Sequence, residues 1–212
     1  MALPQTESPD TKERILAAAE RLFGARGLAG TSLRSITAAA GVNVAAVHYH
    51  CGGRERLARA VFARSVAPVN EERLRRLAAL EAAAEPPGVE PLLRALVQPV
   101  FAAAARDPGL AELGALLLAE RAEDHAALVA ELFGEVMRRF SDALWRALPA
   151  LPPDEVHDRL AFAVGAFVHV LSGRAPARRE GTLLAADSTT QERLIRFLAA
   201  GFAATAARPE SP

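Results

Sequence analysis

The sequence predicts an all-α protein of about nine helices, with a small helix-turn-helix unit at the N-terminal end and a larger helical body after it. Three observations carry this. Alanine, leucine, arginine and glutamate, all good helix formers, are heavily used along the chain. Apolar residues recur at three- and four-residue spacing in segment after segment, and no run alternates convincingly with strand period. Proline and glycine clusters, such as Pro86-Pro87-Gly88 and Asp107-Pro108-Gly109, cut the chain into pieces of helical length.

The first helix is expected to begin after Asp10. Asp10 and Glu13 have capping-box spacing, Ile15, Leu16, Ala19, Leu22 and Phe23 form the apolar stripe, and Gly27 ends it. Residues 1–9 read as a disordered arm. Thr31 or Ser32 caps a short helix over 33–40, with Leu33, Ile36 and Ala40 inward. Gly41 supplies the turn, Asn43 caps a helix over 44–51, and Gly52-Gly53 stops it. The next helix starts near Arg54 and carries Leu57, Val61 and Phe62, and Pro68 is expected to kink or break it before periodicity resumes over 71–81. A helix follows with Pro91 near its first turn and Pro99 as a kink. Leu110, Leu113, Leu116 and Leu117 mark another. A longer one is expected over 124–148, then one over 154–172. The last opens on a Ser188…Gln191 capping box and buries Leu194, Phe197, Leu198, Gly201 and Phe202.

The chain has 212 residues, 51% hydrophobic and 24% charged, enough apolar material for a sizeable core. The net charge of zero conceals an asymmetry. Through residue 66 there are nine basic and five acidic residues; beyond it there are sixteen basic and twenty acidic. A basic N-terminal segment on an acidic body suits a polyanion bound at one end. The polar N-terminus and the single cysteine, Cys51, fit a cytoplasmic protein without an intrachain disulfide. The uncharged run 160–173 is too short to span a bilayer, which takes about 20 residues. No membrane partner is expected.

The informative stretch is residues 31–57, TSLRSITAAAGVNVAAVHYHCGGRERL. It reads as helix, tight glycine turn, short helix, with the first helix available to pack across both. In that geometry the second helix enters the major groove. Such a helix has to be small where it meets the groove floor and polar where it meets phosphates. Val44, Ala45 and Ala46 are small, whereas His48, Tyr49 and His50 can hydrogen-bond, and Arg54 stands at the next helix start.

On these residues the segment resembles the DNA-binding domain of the TetR family. The resemblance covers about residues 11–62 and rests on Ile15, Phe23, Gly27, Thr31, Ile36, Gly41-Val42-Asn43, Tyr49, Arg54, Glu55 and Leu57. The wording VNVAAVHYH is similar to a subset of the family that ends this helix with VNYHF. Cys51 stands where the family usually has phenylalanine, and His48 where tyrosine or asparagine is commoner. The resemblance implies that Thr31 and Ser32 touch phosphates at the start of the 33–40 helix. It places Val44, Ala45, Ala46, His48 and His50 against bases or the groove wall, and Tyr49 and Arg54 on the DNA backbone. The partners it implies are double-stranded DNA, a second copy of the chain and an unknown small-molecule effector, with no cofactor and no metal. The expected division is a DNA-binding domain over 10–66 and an effector-binding and dimerisation domain over 67–207.

For the body, the resemblance suggests a dimer built on the last two helices, with Phe162, Phe167, Leu171, Phe197 and Phe202 in the interface or just beneath it. Phe101, Leu117, Arg121, His125, Phe133, Met137, Trp145 and His169 are effector-pocket residues by position and character. No nucleophile elbow, phosphate loop, HExxH or cysteine cluster is present, so an enzyme is not expected. The expected function is a ligand-responsive, sequence-specific transcriptional regulator, a repressor acting on a near-palindromic operator. The alternatives are an activator without an effector, or a helix-turn-helix module that binds protein.

Overall fold

The computed structural model describes residues 9–107, 122–171 and 187–205, with side chains from residue 11 in the first segment and from 127 in the second. Among these residues the secondary structure is helical throughout. The helices are α1 (Pro9–Arg26), α2 (Leu33–Ala40), α3 (Val44–Cys51), α4 (Arg54–Glu81), α5 (Val89–Arg106), α6 (Ala122–Ala147), α7 (Pro153–Leu171) and α8 (Ser188–Ala203). The ninth expected helix, around Leu110–Leu117, lies outside the described residues. The chain divides into two compact units, Met1–Val66 with Asp107–Ala119, and Ala67–Arg106 with Glu120–Pro212.

In the first unit α1, α2 and α3 pack on one another. Their shared core is Ile15, Ala19, Phe23, Ile36 and Val47, joined by Leu57, Val61 and Phe62 from the start of α4. Each large side chain buried here contributes roughly 1.5–3 kcal/mol. Arg64 pairs with both Glu13 and Glu20, tying α4 to the surface of α1. Helix α1 starts at Pro9, so Asp10 lies inside it and is not its cap. Proline fits this position because the first helical N–H has no intrahelical partner to lose.

The second unit is a bundle. Helix α5 packs on α6, α7 and α8, α6 packs on α7, and α7 on α8. Its core runs through Leu77, Leu92, Leu96, Phe101, Phe140, Leu144, Leu160, Phe167, Ile195 and Phe202. Arg94 of α5 makes a two-point contact with Glu192 of α8, at 2.6 and 2.9 Å. Arg159 of α7 closes the far end of α8, with Nη1 within 3.1 Å of the carbonyls of Gly201, Phe202 and Ala204.

Two expectations are corrected by this architecture. Pro68 does not break its segment: α4 is one helix of 28 residues, with Pro68 inside it. A proline removes one helical hydrogen bond and crowds one carbonyl, and the packing of Val66, Val69, Arg73 and Leu77 on either side holds the helix through that loss. At the start of α8 the cap is Asp187, whose carboxylate accepts from Thr190 N at 2.7 Å, so Ser188 is the first helical residue. Aspartate and serine cap almost equally well, and two adjacent good caps leave the boundary to the tertiary context.

Candidate nucleic-acid interface and effector-binding residues

The turn between α2 and α3 is built by local chemistry. Ser32 caps α2 in a reciprocal capping box with Ser35. Gly41 closes α2 in the left-handed region, φ 65° and ψ 39°, where a side chain is costly. Arg14 of α1 donates to the carbonyls of Ala40 and Gly41, covering the end of α2. Asn43 then caps α3, its side-chain oxygen accepting from Ala46 N at 2.8 Å. Gly52, at φ 71°, ends α3 by donating to the His48 carbonyl at 3.0 Å.

Helix α3 is anchored by one side chain. Val47 is fully buried, and it is the sole buried residue of the helix. Val44, Ala45, His48 and Tyr49 are exposed, and their spacing puts them on one outward stripe. Tyr49 is 71% exposed and is not a core aromatic. It makes an edge-to-face contact with His50, ring centres 5.0 Å apart. Ala46 and His50 are half-buried at the border of the stripe. The arrangement offers methyl groups, two imidazoles and a phenol on a rigid, doubly capped rod. Burial pushes the Cys51 thiol up, partly offset by the charge of Lys12, which disfavours the thiolate a redox sensor needs.

The resemblance implies that both Thr31 and Arg54 touch the DNA backbone; in the structure Thr31 is buried, Arg54 is exposed, and both hydrogen-bond to nearby main-chain carbonyls. Thr31 is 1% exposed, and its hydroxyl faces the carbonyls of Gly27 at 2.8 Å and Leu22 at 3.1 Å. It closes the loop after α1. Arg54 donates to the carbonyls of Leu28 and Thr31, holding that same loop against the start of α4. Ser32 stays exposed beside the first N–H groups of α2.

In the second unit the effector residues scatter. Phe101 is buried in the core, Phe133 and Met137 are half-buried, and His169 is exposed. Trp145 is 48% exposed on α6. Leu117, Arg121 and the side chain of His125 lie outside the described residues. Among the dimer residues, Phe167 and Phe202 are buried and Leu171 is half-buried. Phe162 and Phe197 are 72% and 71% exposed, so the expected burial of Phe197 within α8's own unit does not occur.

Sequence reasoning missed a polar pair inside this unit. Arg73 of α4 is 2% exposed; its Nε donates to the Leu96 carbonyl at 2.8 Å and its Nη1 to Asn70 Oδ1 at 3.1 Å. Asn70 in turn donates to the Leu132 carbonyl at 2.7 Å. Desolvation lowers the Arg73 pKa to about 10, which leaves it a cation at neutral pH. The signal was available: Arg73 stands four residues from both Val69 and Leu77, on the apolar face of its helix. Among the described residues no cluster suits a metal ion, and no helix is long and apolar enough to cross a membrane.

Comparison with known proteins agrees with the fold. No curated protein matches the chain by sequence. The transcriptional regulator FadR from Bacillus subtilis, in complex with stearoyl-CoA, superposes with a TM-score of 0.66 at 14% identity, covering 89% of this chain and 98% of that one. The fatty acid degradation regulator FadR from Bacillus halodurans gives 0.66 at 16% identity, covering 93% and 98%. A regulatory protein of the TetR family from Rhodococcus RHA1 gives 0.58 at 20% identity, covering 92% and 97%. Residues 15–61 match the family of bacterial regulatory proteins typified by TetR, and residues 94–201 match the tetracycline-repressor-like C-terminal domain. With the capped reading helix at one end and the matching C-terminal domain over half the chain, the protein belongs to the TetR family of DNA-binding transcriptional regulators.

Proposed function

We propose that the chain is a ligand-responsive repressor that binds a near-palindromic operator as a homodimer. The observation that carries this is α3: a short helix, capped at both ends, with Val44, Ala45, His48 and Tyr49 turned outward and Val47 alone holding it to the core. Alanine and valine methyls suit thymine methyl groups, and the imidazole of His48 suits base edges or phosphates. In this reading Ser32 and Tyr49 contact the DNA backbone, Ser32 at the N-terminus of α2. The functional division at about residues 10–66 and 67–207, and a cytoplasmic site of action on chromosomal DNA, belong to the same reading. A role in regulation rather than catalysis follows from the family.

Homodimerisation is supported by α7 and α8. Phe162 and Phe197 are the most exposed large apolar side chains of these helices, and Ala161, Gly165, Ala200 and Gly201 are exposed beside them. A Cβ built on Gly165 or Gly201 would meet nothing within 4 Å. Small residues flanking a protruding aromatic let a second copy approach closely, and a two-fold pairing of such faces buries both aromatics. Two reading helices then address half-sites one DNA turn or a multiple apart. An effector is supported by the Bacillus subtilis FadR, whose structure holds stearoyl-CoA in the same architecture.

The test is a gel-shift titration of the full chain against its own upstream intergenic DNA, with random DNA as competitor. Preference for a near-palindrome by about a thousandfold or more is expected. Equal affinity for both DNAs overturns the specific-repressor reading.

A further inference from the structure

We propose that Arg73 is the anchor for an oxyanion carried on an otherwise apolar ligand in the C-terminal unit. This deepens the ligand-responsive reading by naming the chemical class, and it rests on that reading only for its consequence at the operator.

A guanidinium has five N–H donors. At Arg73 two are used, both on neutral acceptors, the Leu96 carbonyl and Asn70 Oδ1. The other three have no acceptor among the described residues, and no carboxylate there pairs with the charge. Yet the side chain lies in the apolar core, with Leu77 on its own helix, Leu96 on α5 and the Phe167 ring 5.6 Å from its central carbon. The ring offers its face to the cation and supplies no acceptor to the N–H groups along the guanidinium's edge. Burying a charge without a counter-charge is strongly unfavourable. Less buried arginines of this unit have one: Arg159 pairs with Glu155, and the one-third-exposed Arg94 with Glu90 and Glu192. Arg73 alone among these three has no acid.

The geometry is also set in advance. Asn70 is clamped by the Leu132 carbonyl on one side and by Arg73 on the other, which fixes its amide orientation. Leu96 lies three residues before Pro99, in a turn of α5 that lacks one N–H. The guanidinium edge that carries the unused N–H groups is therefore held in one orientation, which lowers the ordering cost of binding. Carboxylates and phosphates match that edge with two parallel hydrogen bonds. The surrounding leucines and phenylalanine call for hydrocarbon or aromatic material on the rest of the molecule.

The experiment titrates the full chain with hexanoate, decanoate and hexadecanoate, with the alkyl phosphates and alcohols of the same lengths, by calorimetry. At one length or more the carboxylate or the phosphate should bind about tenfold tighter than the alcohol or better, and the two anion arms separate carboxylate from phosphate recognition. Arg73→Met should bring anion and alcohol to within about twofold while the alcohol is unchanged. Equal binding of anion and alcohol, no binding in any series, or discrimination that survives in Arg73→Met overturns the site. Should Arg73→Met fail to fold, a crystal structure of the wild-type chain with the tightest anion decides. Head-group oxygens about 2.7–2.9 Å from Arg73 support the proposal, and a head group elsewhere overturns it. Operator release is measured in parallel. Release by the anion that is unaffected by Arg73→Met leaves the ligand-responsive reading standing without this site. Binding at Arg73 with no change at the operator does the reverse.

Discussion

At Gly41 a left-handed backbone and a close neighbour act together. A Cβ there would meet Arg14 Nη2 at 2.9 Å, the group that covers the end of α2. Gly41→Ala should therefore cost about 1–2 kcal/mol from the backbone alone, and further through displacement of Arg14. Urea denaturation of the full chain measures it, and a loss near zero would show that the turn relaxes. Arg54→Ala should lower stability by about 1 kcal/mol, because its donors hold the Leu28 and Thr31 carbonyls, and it should weaken operator binding through that loop. His48→Ala should leave stability within about 0.5 kcal/mol and shift the preferred base instead. Thermal melts together with operator selection on both variants separate the two effects. What was readable in the sequence at this scale was chemistry between near neighbours. Asn43 caps α3 three residues on, and Gly41 turns where it stands. Arg14, Thr31 and Arg54 were not readable, since their partners lie 26, 9 and 26 residues away, and only the packed unit brings them together.

Helix limits in the N-terminal unit came out of the sequence because cap, turn and stop residues all fall in order; α2 and α3 have the expected ends. Where two signals competed, packing decided. Pro68 argued for a break, and buried residues on either side kept α4 whole. Arg159 shows how one element is held by another. Its side chain is 10% exposed and serves three carbonyls at the end of α8. Arg159→Met keeps the hydrocarbon stem and should cost about 2 kcal/mol, with faster hydrogen exchange over the last turn of α8 than elsewhere. Uniform exchange across α8 would argue against that role. On α4, hydrogen bonds from Arg75 and Arg76 hold the Glu72 carboxyl down at about 2, from an ordinary 4.5. A depressed carboxylate favours the fold above its unfolded value, and that contribution fades as pH falls from 4.5 toward 2. The pair is solvent-facing, so the effect is small. Melting temperature between pH 7 and pH 2.5 should fall slightly more steeply for the wild type than for Glu72→Gln, and parallel curves would rule the contribution out.

For the molecule as a whole, the outward aromatics of α7 and α8 make a prediction. For the homodimer proposed above, Phe162→Glu with Phe197→Glu should give a monomer by light scattering, with helical content retained and operator affinity reduced at least about a hundredfold as one half-site is lost. A variant that stays dimeric would place the interface elsewhere. The family and the two-part plan were legible because the DNA-reading segment is spelled by residue type and spacing. The body was legible only as helices. Its buried charge and the direction each aromatic faces depend on how five helices settle together, and periodicity leaves that open by a full turn of the wheel. Phe197 read as buried by spacing and stands exposed, as does Phe162, expected at the dimer interface or just beneath it. Arg73 is buried, and sequence reading passed over it although it stands on the apolar face of its helix.

Since Val47 is the one fully buried residue of α3, the four exposed ones, Val44, Ala45, His48 and Tyr49, are under little obligation to the fold. A library randomised at Val44, Ala45, His48 and Tyr49 should consist mostly of folded proteins, with diversity expressed almost wholly as altered operator choice. The same property describes how such a protein can acquire new target genes: its reading surface drifts freely while Asn43, Val47 and Gly52 keep the helix in place.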